Sequence, residues 1–158
     1  MMKIFPDITE QDNYRKFTLN NISGEEIPVQ EDVIQDLIRI IEARENVTFI
    51  YLELVYVDED EIVRINKEHL NRDYITDIIS FRYDESNNNA IEGTLFCCAQ
   101  RIDEQSHEFA TDPTTEFYRI IIHGLLHLAG YDDQTKKGKT EMTQLENETL
   151  EQINPSSY

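Results

Sequence analysis

The run Val47 to Val57 (VTFIYLELVYV) constrains this chain more than any other stretch. Its density of β-branched and aromatic side chains predicts a strand, and therefore a fold built around a sheet. Pro28 to Glu45 reads as an amphipathic helix, because Val29, Val33, Ile34, Leu37, Ile40 and Ile41 recur at three- and four-residue spacings. Lys3 to Phe5 reads as a short first strand and Asn20 to Pro28 as a loop. Asp58 is placed to N-cap a helix that runs to His69, with Ile62 and Ile65 on one face. Ile78 to Tyr83 (IISFRY) and Gly93 to Ala99 (GTLFCCA) read as strands, and the polar loop Asp84 to Asn89 between them predicts a hairpin. Arg101 to Phe109 reads as a helix. Thr111-Asp112-Pro113 starts a longer one that runs to about Ala129, with Pro113 near its first turn and Gly130 as its C-cap. Lys136 to Ile153 is the last helix, with Met142, Leu145, Leu150 and Ile153 as its apolar contacts, and Asn154 to Tyr158 reads as a frayed tail. This order predicts an α+β fold, a small mixed β-sheet packed with helices.

A length of 158 residues suggests one domain, residues 1–158, able to bury a core without disulfide or metal staples. The adjacent Cys97 and Cys98 point to opposite faces of a strand, so they build neither a disulfide framework nor a CxxC knuckle. They read as two small apolar strand residues in a reducing, cytoplasmic setting. No apolar run approaches the roughly 20 residues that span a bilayer. Met1 to Pro6 has no long apolar stretch, so no signal peptide is expected. The net charge of −18, from 32 acidic and 14 basic residues, favours solubility and opposes non-specific binding to nucleic acid. Any role on RNA therefore requires a local basic patch.

The chemistry concentrates in HGLLHLAGYDD, His123 to Asp133. His123 and His127 are four residues apart, which stacks them on one face of a helix. The core stripe of that helix is Phe117, Ile120, Ile121, Gly124, Leu125 and Leu128, and the histidines fall on a neighbouring face, so packing does not explain them. Gly130 lets the chain turn back, and Asp132 or Asp133 then reaches the same point. Two neutral imidazoles and a carboxylate suit zinc, one ion per chain, at the C-terminal end of a central helix. Three protein ligands leave a fourth position for water, the mark of a catalytic site. HxxxH alone is a weak signal, and the glycine stop with the following acids strengthens it. Gly124 stands where the HExxH proteases carry their glutamate, so a protease assignment fails on its catalytic residue.

HGLLHLAGYDD resembles the signature of the YbeY-type endoribonuclease family, which acts in bacterial ribosomal RNA maturation. That signature has two histidines in HGxLHLxGYD and then a third ligand, usually His. Asp132 matches the Asp of GYD, so the resemblance implies His123, His127 and Asp133 as the ligands. A carboxylate there leaves the ion less electropositive than a third imidazole would, and a water on it less acidic. The similarity extends roughly over residues 45 to 150. Ile65 to Phe81 (INKEHLNRDYITDIISF) is similar to a family segment in which LN precedes PTxVLSF: Thr76, Ser80 and Phe81 match and Ile75 replaces the proline. Glu92 to Leu95 is similar to a Gly-Asp strand start, with Thr94 in place of Asp. Leu70 stands where the family carries a functional arginine, and Arg72, two residues on, is the candidate to bind a phosphate in its place.

Further cations, Lys136, Lys137, Lys139, Arg82, Arg101 and Arg119, either line a cleft with Arg72 or, for the lysines, simply begin a solvated helix. His69 and His107 read as surface or helix-end residues. The first functional expectation is a metal-dependent endoribonuclease acting on single-stranded RNA, with ribosomal RNA as substrate and the ribosome or its proteins as partners, and no membrane. A metal hydrolase of another substrate class is a second expectation, favoured by the acidity of the chain. A non-enzymatic ribosome-associated module with a structural metal is a third.

Overall fold

Strand β2, Thr48–Val57, has a partner along each edge. On one side it pairs in parallel with β1, Lys16–Asn21, and on the other in parallel with β4, Ala90–Cys98. The antiparallel β3, Ile78–Arg82, closes the far edge, giving the order β1-β2-β4-β3. The computed structural model describes residues 16–83 and 89–153. The expected strand Lys3 to Phe5, the tail and most of the Asp84 to Asn89 loop lie outside the described residues.

The α+β arrangement matches the reading from sequence, a small mixed sheet carrying helices. Among the described residues, α1 (Glu31–Glu45) and α2 (Glu59–Leu70) connect strands, and α3 (Ala99–Glu108), α4 (Pro113–Leu128) and α5 (Lys136–Ile153) follow the last strand. Asp58 caps α2 as expected, accepting from the Glu61 amide at 2.8 Å. Asp112 caps α4 in the same way through Thr115, and Pro113 sits in its first turn. Helix α1 begins three residues later than its apolar spacing suggests, because Gln30 stays extended and donates its backbone amide to the Tyr118 hydroxyl.

Strand β1 runs through a segment whose last two residues read as loop. KFTLNN carries only Phe17 and Leu19 as apolar side chains, too few to announce a strand, and both pack against the main core. Its backbone is held by pairing along β2, from Lys16 opposite Tyr51 to Asn21 opposite Tyr56. Asn21 ends the strand by turning its side chain to the amide of Ser23 and the carbonyl of Glu25.

The alternation of β2 and β4 divides the molecule into layers. Leu52, Leu54 and Tyr56 with Ile91, Leu95 and Cys97 face α1, α4 and α5. Val55, Val57 and Cys98 face the opposite side, where Ile62 and Ile65 of α2 cover them. Cys97 and Cys98 thus lie on opposite faces, both buried and free. Helix α4 crosses the main core and is buried on most of its circumference. Each fully buried Ile or Leu along it contributes on the order of 1.5–3 kcal/mol. At Gly124 it touches the sheet so closely that a Cβ would stand 2.6 Å from Ile78 Cδ1 and 2.9 Å from Leu95 Cδ2. Among the described residues no helix is long and apolar enough to cross a membrane.

Candidate metal centre

One side of α4 departs from this apolar surround. Glu116, Arg119, His123 and His127 form a polar stripe at three- and four-residue spacings. The two histidine side chains are 24% and 28% exposed, and their Nε2 atoms face each other at 3.0 Å.

The chain returns to them through a tight helix end. The Gly130 amide donates to the His127 carbonyl and the Tyr131 amide to the Leu126 carbonyl, each at 3.0 Å, with Gly130 at φ 108°. This pairing is a Schellman close, and the positive φ is why glycine stands there. The next two residues diverge. Asp132 accepts from the amide of Gln134 at 2.9 Å and stays exposed. Asp133 points back, with Oδ2 3.3 Å from His123 Nε2 and 3.7 Å from His127 Nε2. One ligand atom from each of His123, His127 and Asp133 thus falls within 4.8 Å of the others. Two imidazole nitrogens and one carboxylate oxygen form a donor set that zinc accepts, with a coordination position left over.

The outer nitrogens of both rings are also engaged. His127 Nδ1 lies 3.0 Å from the Tyr131 carbonyl, and His123 Nδ1 lies 2.7 Å from Glu146 Oε2 on α5. Tyr131 is itself held by its hydroxyl, which donates to Glu45 at the end of α1 at 2.7 Å. Burial pulls the His123 imidazolium down, but the hydrogen bond to Glu146 and the charges of Glu146, Asp133 and Asp77 outweigh it, so the group sits above its ordinary value. Glu116 is buried, which pushes its carboxyl above the usual range against the opposing pull of Arg119.

Glu146 escaped the sequence reading. Its signal was a carboxylate within the apolar stripe of α5, one turn after Met142 and one turn before Leu150, both buried. No local rule links it to a histidine 23 residues earlier.

The cations have different immediate surroundings. Arg101 is held by Glu108 at 2.8 Å and Glu104 at 3.6 Å, and Arg119 by Glu146 at 3.2 Å. Lys136, Lys137 and Lys139 are exposed on the first turn of α5. Arg82 donates from Nη1 to the Leu128 carbonyl at 3.1 Å, at the end of α4 beside His127. Arg72 follows α2, its amide donating to the Asn66 carbonyl at 3.2 Å and its side chain exposed. His69 is exposed and meets Phe81 edge-on, while His107 is exposed 3.6 Å from Asp103. Thr94, at the family's Asp position, is buried in the sheet and hydrogen-bonds Tyr83 and Glu53.

Residues 18–154 match the family model described as Endoribonuclease YbeY. The Endoribonuclease YbeY of Chlorobium phaeobacteroides is 38% identical over 126 residues, which cover 79% of this chain and 89% of that protein. The protein of the same name from Salinibacter ruber is 34% identical over 119 residues, or 71% of this chain and 76% of its own length. That of Chlorobium luteolum is 42% identical over 90 residues, 57% of this chain, and the match spans 64% of that relative's length. A solution structure of a Thermotoga maritima protein shares the fold, with a TM-score of 0.58 and 24% identity over 87% of this chain and 89% of that one.

Proposed function

The chain belongs to the Endoribonuclease YbeY family, and from that premise we propose that it is a metal-dependent endoribonuclease of ribosomal RNA maturation, with His123, His127 and Asp133 holding one zinc ion. The observation that carries this reading is the convergence of three ligand atoms, within 4.8 Å of one another, inside the segment that matches the family.

Bound zinc supplies Lewis acidity, which polarises a phosphoryl oxygen and makes water acidic near neutral pH. The chain's own residues do the rest. His123 and His127 would hold the ion through Nε2, and Asp133 would add a negative charge that moderates its pull on electrons. Arg72, exposed after α2, binds a substrate phosphate through its planar guanidinium. Attraction of RNA by a chain of net charge −18 depends on such local cations, so cleavage weakens steeply with salt. The work place in this reading is the cytoplasm, on the ribosome or its proteins.

A second reading keeps the metal and drops the turnover, leaving a ribosome-associated binding module. The observation that favours it is Leu70, 40% exposed at the position of the family's arginine.

The deciding experiment is elemental analysis of purified protein beside a His127→Ala variant, followed by incubation with single-stranded RNA at low salt. One zinc per chain, absent from the variant, with cleavage abolished by chelator, is the expected result. Metal without cleavage selects the binding module, and a folded protein that refuses added zinc sinks both readings. Ordinary cleavage by an Arg72→Ala protein removes Arg72 from the mechanism.

A further inference from the structure

Helix α5 contributes no ligand atom, yet one of its side chains reaches the candidate centre. Glu146 is 6% exposed, and its two oxygens have separate partners. Oε2 lies 2.7 Å from His123 Nδ1, and Oε1 accepts from Arg119 Nη1 at 3.2 Å. Arg119 is steadied in turn by Asn147 Oδ1 at 2.7 Å from Nη2, with Glu116 Oε1 at 4.0 Å from Nε.

A carboxylate is a costly way to hold two helices together. Glu146 shares its face of α5 with Met142, Leu150 and Ile153, all buried, and an apolar residue would fill that position without desolvating a charge. The pair with Arg119 requires only one of its oxygens. The second oxygen is directed at the outer nitrogen of a histidine whose inner nitrogen faces His127 and Asp133. From this geometry, and resting on the metal reading above, we infer that Glu146 is a positioning residue for the metal centre. It holds the His123 proton on Nδ1 and so keeps the Nε2 lone pair on the point shared by the three ligands.

The same task at His127 falls to the Tyr131 carbonyl, a backbone acceptor. The two rings are therefore held by different means, one by main chain and one by a distant side chain. Outer hydrogen bonds of this kind set ring orientation and ligand basicity. Arg119 gives the arrangement a direction. It demands an oxygen from whatever side chain stands at position 146, so a glutamine there turns its amide oxygen to Arg119 and its NH2 to His123. Nδ1 must then accept, the proton moves to Nε2, and the lone pair is lost from the ligand position.

The test uses the full chain as wild type, Glu146→Gln and Glu146→Asp. Zinc affinity is read by competition with a chromophoric chelator, the His123 tautomer by nitrogen-15 NMR of the apoprotein, and ligand geometry by the visible spectrum of the cobalt-substituted form. The expected result is zinc binding weakened about 10- to 100-fold in Glu146→Gln, with His123 shifted toward the Nε2–H tautomer and an altered cobalt spectrum. Glu146→Asp, which keeps the charge on a shorter arm, recovers part of the affinity. Wild-type affinity and an unchanged tautomer in a folded Glu146→Gln protein overturn the inference. If that variant does not fold, wild-type affinity and tautomer in a further variant, Glu146→Ala, which removes the carboxylate outright, overturn it instead. A wild type that binds no zinc overturns the metal reading and this inference together, whereas a wild type and variant that bind zinc equally overturn this inference alone.

Discussion

Asp133 Oδ2 stands 3.3 Å from His123 Nε2, although the two residues belong to different elements and the chain reverses between them. The neighbouring Asp132 spends its carboxylate on the amide of Gln134. Alanine at each position should therefore give opposite outcomes. Asp133→Ala should lower zinc affinity at least tenfold, about 1.4 kcal/mol, while Asp132→Ala should retain wild-type zinc content. Elemental analysis with chelator competition reads both, and equal losses would refute the assignment.

Removal of the metal should destabilise the fold. Zinc at about a hundred times its dissociation constant adds roughly 2.7 kcal/mol to a state that binds it. In a domain of this size that amounts to a fall in Tm of about 5–11 °C on chelation. Calorimetry with and without chelator measures it, and superimposed melts would count against a tightly held ion.

Gly124 marks the closest approach of α4 to the sheet. A Cβ there meets Ile78 Cδ1 at 2.6 Å and both Cδ atoms of Leu95 at 2.9 and 3.0 Å. Gly124→Ala should cost about 1–3 kcal/mol through overpacking, despite alanine's better helix propensity. Urea unfolding reads the difference, and a stabilised variant would show that the sheet yields.

Gly138 does for the metal loop what Gly124 does for the core. Its amide donates to Thr135 Oγ1 at 3.0 Å, and a Cβ on it would collide with the Asp132 carbonyl. Gly138→Ala should push the Asp132–Asp133 segment outward and weaken zinc binding without altering any ligand. Chelator competition is again the measurement. Unchanged affinity would mean that the loop shifts and carries Asp133 with it.

Glu116 supplies a pH signature separate from the ligands. Burial raises its carboxyl in the folded state, so folding holds the proton more tightly than the unfolded chain, where Glu titrates near about 4.3. The stabilisation from that proton is complete below the unfolded value and is lost as pH rises through the folded one. Glu116→Gln cannot ionise and escapes this loss. Its stability relative to wild type should be more favourable at pH 7 than at pH 4, as read from urea midpoints. A gap that stays constant or narrows toward pH 7 would argue that the ion pair with Arg119 outweighs burial.

What the sequence determined by itself was local. The β-branched density of β2, the cap at Asp58 and the i, i+4 spacing of His123 and His127 depend on residues close along the chain, and each appears where local rules put it. Gly130 likewise announced the reversal after α4, since few other residues tolerate its φ of 108°. Tertiary structure decided whatever depends on a partner far away in sequence. Strand β1 exists because β2 offers it a ladder, and KFTLNN has too little apolar content to declare it. The choice of Asp133 over Asp132 rested on family resemblance until the fold of the loop separated their carboxylates. Arg101 and Arg119, grouped with a cationic cleft on charge alone, are taken up by nearby acids. Glu146 reaches His123 from another helix, and only the packing of α5 on α4 brings a carboxylate to that ring, because periodicity encodes which face is buried but not what that face will meet.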